Sequence, residues 1–254
     1  MEAEDYLAAY KPPAMHTAPL AGRSGENLAA WVAALFPEIS AVQGRREGDG
    51  GLIHRLDYET QGLVLFARTR RGMDSLLAQQ EKGKIIKEYS ALVSNPGKIL
   101  PGFPPPPPAL LAGPFPRLVE SPFRAWGPGR KAVRPAFPGT DRKLAFDRGS
   151  PYSTRILEWR EESGSAAAPK GLVSCRAAIS RGFRHQIRCH LAWLGFPILN
   201  DSLYGGVRAG EGVLALRACS LSFEDPLDGA RRLLRFAHEK GYVPCVSNFT
   251  STLG

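Results

Sequence analysis

The segment from Gly51 to Gly62 places a histidine, an arginine and an aspartate within four positions, as His54, Arg55 and Asp57. It lies between two apolar stretches and is flanked by glycines, so we expect it to leave one buried element and enter another. A carboxylate in such a place serves as a nucleophile or a general base if neighbouring cations keep it ionised. An Arg–Asp salt bridge in a turn has the same spacing, because structural ion pairs are common. The residues alone leave both interpretations open.

A second polar cluster lies further along the chain. The pattern from Arg184 to Leu194 predicts a helix, because apolar side chains recur on one face and a glycine follows its end. On this helix Arg184 and Arg188 are i, i+4 neighbours and form a cationic face. Such an arginine can pair with a carboxylate or a phosphate, although a solvated basic face has the same pattern. His185 and His190 are five residues apart and do not share a helix face well, so we expect no metal site there.

The elements that must position these residues mix strand and helix patterns. Alternation over Ile85–Val93 predicts a strand, on which Tyr89 shares a face with Lys87. A tyrosine on a strand usually packs in a core or an interface, so Tyr89 alone indicates no chemistry. The other predicted elements are helices over Ser24–Phe36 and from Thr69 to Gly83, and strands over Leu63–Ala67, Gly171–Ile179, Val213–Phe223 and Arg231–Phe236. This order lacks a regular βαβ alternation and favours an α+β fold with a mixed, largely antiparallel sheet flanked by helices.

A proline-rich segment, Pro96–Pro116, interrupts this pattern. Its five consecutive prolines, Pro104–Pro108, favour a stiff polyproline II conformation. We expect a single domain over residues 1–254, with this segment on its surface. If the segment marks a boundary, it divides the domain into two lobes. A proline-rich ligand for a partner domain is the alternative interpretation.

The net charge of +9 is unevenly distributed. Residues 95–200 hold 16 basic and 6 acidic side chains, whereas the rest of the chain holds 17 and 18. A basic region can bind a polyanion through phosphate neutralisation, although a charged soluble surface has the same composition. Charge alone does not separate RNA, DNA and anionic lipid.

Two features bear on the compartment. The longest apolar run, Leu28–Phe36, is too short to span a bilayer, and the acidic N-terminal sequence lacks the pattern of a signal peptide. We therefore expect a cytoplasmic protein with no membrane partner. The four cysteines, Cys175, Cys189, Cys219 and Cys245, lack zinc-site spacing, so we expect reduced, structural thiols and no metal.

Several segments together resemble the RluA family of pseudouridine synthases. HRLDYETQG, from His54 to Gly62, is similar to the family block HRLDxxTSG, and residues 182–206 are similar to GRxHQIRxHLxxxGxPIxGDxxYG. KIIKEYSALV resembles KxYxALV, and YKPPAMH resembles the opening KPxGxxVH. Shorter matches to the family segments LHA and FxHP follow. The matches run in family order from Tyr10 to about Phe236, and several blocks in order are far more specific than one.

The resemblance implies the pseudouridine synthase fold, with a central catalytic cleft, and an enzyme that isomerises specific uridines in ribosomal or transfer RNA. Asp57 would be the catalytic aspartate, Tyr89 would stack on the target base, and Arg188 would form the ion pair that positions Asp57 and keeps it ionised. Arg55 would help to displace or replace the base. The residues expected to contact RNA are His54, Arg55, Arg184, His185 and Gln186. The resemblance implies no cofactor, because the reaction is an isomerisation, and we expect a monomer.

The chain differs from the family sequence blocks at Gln61, Phe183, Asn200 and Arg217. We expect these changes to alter RNA contacts rather than the chemistry. We also expect no separate N-terminal RNA-binding module, because residues 1–50 hold four basic and seven acidic side chains. A catalytically silent RNA-binding relative is the main alternative, although it would be expected to lose the carboxylate.

Overall fold

The computed structural model describes residues 2–20, 25–46, 48–94, 100–111, 117–137, 144–146, 149–161, 171–209 and 212–236. Within these ranges the strands are β1 (Tyr6–Lys11), β2 (Gln61–Ala67), β3 (Ile86–Ser94), β4 (Arg117–Ser121), β5 (Phe123–Trp126), β6 (Ala132–Pro135), β7 (Tyr152–Glu161), β8 (Leu172–Ile179), β9 (Leu216–Glu224) and β10 (Arg231–Arg235). The α-helices are α1 (Leu28–Leu35), α2 (Arg70–Glu81), α3 (Pro108–Leu111) and α4 (Gln186–Trp193), and 3-10 turns cover Pro37–Ala41 and Pro128–Arg130.

The chain folds into two compact units. The first lies within Met1–Glu88 and Arg217–His238, and the second within Tyr89–Leu216. Strand pairing in the first unit joins β1 to β2 and β9 to β10 antiparallel, and β2 to β9 parallel. In the second unit β7 pairs antiparallel with both β4 and β8, and β5 with β6. The mixed, largely antiparallel sheet structure predicted from the sequence is therefore confirmed.

The core of the first unit forms on β2, which is buried along its whole length. Its side chains pack with those of α2 and β9, and the shared cluster includes Leu63, Leu65, Met73, Leu76, Leu221 and Phe223. The β2–β9 pair approaches closely at Gly62, where a Cβ atom would lie 2.2 Å from the carbonyl oxygen of Ala218. A larger residue at position 62 would therefore separate the two strands.

Helix α2 follows its sequence pattern. The Thr69 side chain accepts a hydrogen bond from the Gly72 N–H at 3.0 Å and caps the helix, as predicted. Met73 and Leu76 face the core, and Gly83, with φ +68°, follows the helix end.

Helix α1 differs from its prediction. It begins at Leu28, and Asn27 caps it by accepting from the Ala30 N–H at 3.0 Å, whereas the predicted cap, Ser24, lies outside the described residues. The buried side chains include Leu28 and Val32, but Trp31 is 44% exposed. The apolar stripe predicted for this helix is thus only partly used in the packing of the first unit.

The described part of the proline-rich segment, residues 100–111, is held by contacts with other residues of the second unit, including a hydrogen bond from Arg117 to the Leu110 carbonyl at 3.0 Å. Phe103 is buried and packs edge-on against Trp126, with ring centroids 5.2 Å apart. The indole N–H of Trp193 donates to the Pro104 carbonyl at 2.8 Å. Pro108 then starts a single helical turn, so the stiff run expected for Pro104–Pro108 does not reach its last residue. None of the helices in the described ranges has the length and apolar character that crossing a membrane requires.

Candidate active site

Asp57 lies in an irregular segment that is paired with β2 at its start and leads into β2 at its end. The Ile53 N–H donates to the Leu65 carbonyl at 3.0 Å, and the Ala67 N–H donates to the Gly51 carbonyl at 2.7 Å. Only glycine fits at position 51, because a Cβ atom there would lie 1.8 Å from the Ala67 carbonyl oxygen. Asp57 is half-buried at the far end of this segment. The sequence therefore holds a carboxylate at a fixed place that solvent still reaches.

The residues on either side of Asp57 are held by side chains from the start of the chain. The Thr17 hydroxyl donates to the Leu56 carbonyl at 2.8 Å, and it accepts from the Leu56 N–H at 3.1 Å. The Lys11 ammonium donates to the Tyr58 carbonyl at 3.1 Å. Sequence analysis assigned no role to Lys11 or Thr17, although Lys11 stands in the opening block of the resemblance.

Lys11 also affects the charge around Asp57. It is fully buried, and burial lowers its pKa to about 8, whereas attraction to Asp57 and Glu59 acts in the opposite direction. The attraction is mutual, so a protonated Lys11 favours the ionised form of the Asp57 carboxylate. The first unit thus supplies its own cation to the segment that carries Asp57.

His54 and Arg55, two predicted RNA contacts, differ in their surroundings. His54 is buried, and its Nε2 accepts from the Leu65 N–H at 3.3 Å. Burial, and to a lesser extent the charge of Lys87, lowers the His54 pKa to about 3, so the ring is neutral at pH 7. The Arg55 side chain is partly exposed and pairs with the buried carboxylate of Asp49. This geometry favours a structural role for His54 and leaves Arg55 accessible, and both RNA contacts stay predictions.

The helix of the second polar cluster begins two residues later than predicted. α4 starts at Gln186, and His185 precedes it in a left-handed conformation with φ +55°. Arg184 therefore lies outside the helix, and its guanidinium donates to the carbonyls of Arg130 and Ala132 at 3.0 and 3.2 Å. The predicted i, i+4 cationic face of Arg184 and Arg188 is wrong, because every residue of α4 is buried.

The three residues before and at the start of α4 contact their own unit. His185 Nδ1 lies 3.3 Å from the Tyr204 hydroxyl, which accepts from the Val133 N–H at 2.9 Å. The Gln186 amide donates to the Ser153 carbonyl at 2.8 Å. These contacts join β6 and β7 to the start of α4. Contacts of Arg184, His185 and Gln186 with RNA stay predictions.

Arg188 is held by a carboxylate that sequence analysis did not single out. Its Nε and Nη2 donate to Asp201 Oδ2 and Oδ1 at 2.7 and 2.8 Å, and both side chains are at most 2% exposed. The guanidinium also lies 5.5 Å from the ring centroid of Tyr204. In the sequence, Asp201 stands at the aspartate of the family block, directly after the departure at Asn200. Pairing of Arg188 with Asp57 stays a prediction.

Tyr89 and Cys189 complete the predicted residues of the second unit. Tyr89 is 6% exposed on β3, and its stacking on a target base stays a prediction. Cys189 is fully buried next to Arg188, and burial raises its pKa well above the ordinary value. Burial also raises the pKa of Cys175 to about 12. Both are poor nucleophiles, as expected of structural thiols.

Two of the residues that differ from the family sequence blocks, Gln61 and Arg217, are in contact with each other. Gln61 on β2 lies opposite Arg217 on β9, and the Arg217 guanidinium donates to Gln61 Oε1 at 3.4 Å. The Tyr10 hydroxyl donates to the same oxygen. Phe236 packs against Tyr10, with ring centroids 4.9 Å apart, and below the Arg217 guanidinium at 5.7 Å. These four side chains, which we name the Gln61 cluster, lie at the end of the Asp57 segment.

No group of three or more His, Cys, Asp or Glu side chains within the described ranges is arranged to hold a metal ion.

The chain was compared with known proteins and solved structures. Residues 5–193 match the family model described as RNA pseudouridylate synthase. An uncharacterized RNA pseudouridine synthase of Chloroflexus aurantiacus is 30% identical over 199 residues, which cover 78% of this chain and 52% of that protein. Ribosomal large subunit pseudouridine synthase D of Pseudomonas aeruginosa is 27% identical over 205 residues, which cover 81% of this chain and 52% of that protein. The chain thus spans about half the length of these relatives.

Two solved structures share the fold. Human RNA pseudouridylate synthase domain containing 1 superposes with a TM-score of 0.64 at 18% identity, covering 94% of this chain and 82% of that one. Human RNA pseudouridylate synthase domain containing 4 gives a TM-score of 0.59 at 16% identity, covering 94% and 88%. The fold, the ordered sequence blocks and the family match agree: the chain belongs to the RNA pseudouridylate synthase family.

Proposed function

We propose that this protein isomerises specific uridines in structured RNA to pseudouridine, with Asp57 as the catalytic carboxylate. The observation that carries the proposal is the setting of Asp57. It is partly exposed, whereas the residues on either side of it are held by the buried side chains of Thr17 and Lys11. A reactive group needs access to its substrate and a fixed position, and this segment provides both.

The proposed reaction breaks the bond between C1′ of the ribose and N1 of the uracil, and forms a bond between C1′ and C5 of the same base. The C5 hydrogen leaves as a proton and N1 gains one, so no redox partner and no group donor is needed. Asp57 either attacks C1′ or removes a proton from the sugar. A base within a helix or a structured loop must first be flipped out to reach it.

Other residues take supporting roles in this proposal. Arg55 is exposed enough to take the place of the flipped base, and Tyr89 stacks on that base. Arg188 keeps Asp57 ionised, and its bidentate contact with Asp201 gives it the fixed position that this task requires. His54, Arg184, His185 and Gln186 support the RNA-binding surface. We propose a monomer that acts in the cytoplasm without a cofactor.

The relatives suggest which RNA to test first. One is a ribosomal large subunit pseudouridine synthase, so ribosomal RNA is the first candidate and transfer RNA the second. Asp57→Asn should retain RNA binding, because it removes one negative charge from a basic protein. It should lower single-turnover conversion at saturating enzyme by at least about 10³-fold, because asparagine is a poor nucleophile and a poor base.

Asp74→Asn is the matched control, since Asp74 is exposed on α2 in the same unit. Near-normal conversion by Asp57→Asn would remove Asp57 from the mechanism. Binding without conversion by the wild type, on ribosomal and transfer RNA alike, would instead favour a catalytically silent RNA-binding relative.

A further inference from the structure

We propose that an open pocket lined by Tyr58, the residue that follows Asp57, binds the nucleobase that neighbours the target uridine in the RNA. The pocket has a volume of about 470 Å³ and is lined by Ala14, Met15, His16, Glu26 and Tyr58. Pockets for small ligands begin at about 300 Å³, so a single nucleobase fits. This inference rests on the proposed function, because the target uridine is what brings RNA to this place.

The walls of the pocket are fixed by buried side chains beneath it. The Lys11 ammonium donates to the carbonyls of Pro12, Met15 and Tyr58 at 2.9, 2.8 and 3.1 Å, and so joins the two chain segments that supply Met15 and Tyr58 to the lining. The His16 carbonyl accepts from the Leu28 N–H at 2.9 Å, which connects the same wall to α1 close to Glu26. A preformed pocket loses little conformational entropy when a ligand enters.

An aromatic surface faces this pocket. The rings of His16 and Tyr58 are in contact, with centroids 4.7 Å apart and planes inclined by 44°. The Tyr58 side chain remains 45% exposed, so its ring is accessible to a ligand. Exposed aromatic rings beside a reactive group are the surfaces on which unstacked RNA bases pack.

The position and the charge of the lining indicate which base binds. Tyr58 directly follows Asp57 in the chain, so a base that stacks on Tyr58 belongs to a nucleotide close to the target uridine. The Glu26 carboxylate repels phosphate and accepts hydrogen bonds from an exocyclic amino group. We infer a preference for adenine, cytosine or guanine over uracil at the neighbouring position.

A library of RNA hairpins tests this inference. Each hairpin carries a fixed uridine in its loop with random bases on both sides, and the bound fraction and the converted fraction are sequenced separately. The wild type should enrich amino-bearing bases at one flanking position. Tyr58→Leu should erase this enrichment and weaken binding by about 5- to 150-fold, the effect of losing one base–aromatic stack. Tyr58→Phe should stay within about threefold of the wild type, because it retains the ring.

Matched variants separate the pocket from general surface effects. Trp31→Leu removes a ring of similar exposure, 44%, from α1 in the same unit, and it should leave the flanking preference unchanged. Glu26→Gln should reduce the preference for amino-bearing bases, whereas Glu81→Gln on α2 should not. Thermal unfolding of each variant confirms that it is folded.

The outcomes distinguish this inference from the proposed function. If the wild type and Tyr58→Leu enrich the same flanking bases, the proposal that the pocket binds a neighbouring base is wrong, whether or not uridine is converted. Binding without conversion would overturn the proposed function alone, and the bound fraction would still judge the pocket. Absence of RNA binding by the wild type would overturn both.

Discussion

The segment that carries Asp57 is irregular and partly exposed, whereas helix α4, which carries Arg188, is buried along its whole length. Asp57 is held through the backbone of its neighbours, by Thr17 and Lys11. Arg188 is held through its own guanidinium, by Asp201. A carboxylate that reacts with a substrate, as we propose for Asp57, must stay accessible, whereas breaking the buried pair of Arg188 with Asp201 would leave an uncompensated charge in the interior. Changes around α4 should therefore affect stability first, and changes around Asp57 should mainly affect chemistry.

The largest effect should come from Asp201→Asn. This substitution removes the carboxylate that pairs with Arg188. The two side chains are 0% and 2% exposed, and breaking a buried ion pair costs about 3–5 kcal/mol of unfolding free energy. Urea denaturation measures the change. Glu158→Gln is the control in the same unit, because its ion pair with Arg176 is exposed and contributes at most about 1 kcal/mol. Equal losses in the two variants would contradict the contrast between the two regions.

An intermediate effect should follow from Lys11→Met, and it should depend on pH. Burial lowers the Lys11 pKa from 10.5 to about 8, so the unfolded chain binds more protons than the folded one between these values. Stability contributed by this group therefore rises with pH across that window, by up to about 3 kcal/mol. Chemical denaturation at pH 7 and pH 10 should show the wild type gaining stability relative to Lys11→Met.

The same variant should lower single-turnover conversion at pH 7, because the Tyr58 carbonyl loses its donor and Asp57 loses a nearby cation. A stability difference between wild type and Lys11→Met that is constant or shrinks with pH would show that Lys11 does not titrate in this window.

The smallest effect should appear in the Gln61 cluster. Gln61→Ser removes the accepting oxygen, and Arg217→His removes the guanidinium that donates to it. Both substitutions break the same hydrogen bond, so their effects on unfolding free energy should not add. A double-mutant cycle should give a coupling of about 0.5–1.5 kcal/mol. Additivity within about 0.3 kcal/mol would mean that Gln61 and Arg217 contribute to the unfolding free energy independently of each other.

Local sequence patterns predicted the elements whose packing is simple. The period of α2 and its Thr69 cap are found in the structure, because α2 buries one face. The strand β3 is also found, but all its residues from Tyr89 to Ser94 are buried, so the predicted alternation holds only at its start. The start of α4 was misplaced because His185 adopts a left-handed conformation, which no pattern of apolar residues reveals. The prediction of a cationic face on α4 is wrong for a related reason. The sequence pattern does not distinguish an arginine that pairs with a buried carboxylate from an exposed arginine.

The site itself was only partly predictable. The ordered motif blocks predict Asp57, Tyr89 and Arg188 as site residues, and these roles stay predictions. The contacts of Lys11 and Thr17 could not be predicted, because they link residues 39 to 47 positions apart in the chain. Pairings of this kind depend on how β1 lies against β2, and periodicity carries no information about it.

Cys189 gives α4 a natural reporter. Its thiol lies directly after Arg188 with no exposed surface, and burial disfavours the thiolate, which is the form that reacts with alkylating reagents. Labelling of Cys189 therefore requires transient local opening of the helix, so its rate under native conditions measures the free energy of that opening. Cys219, partly exposed in the other unit, provides a faster-reacting reference. How often solvent enters the interior around Arg188 can thus be measured by mass spectrometry in the unaltered protein.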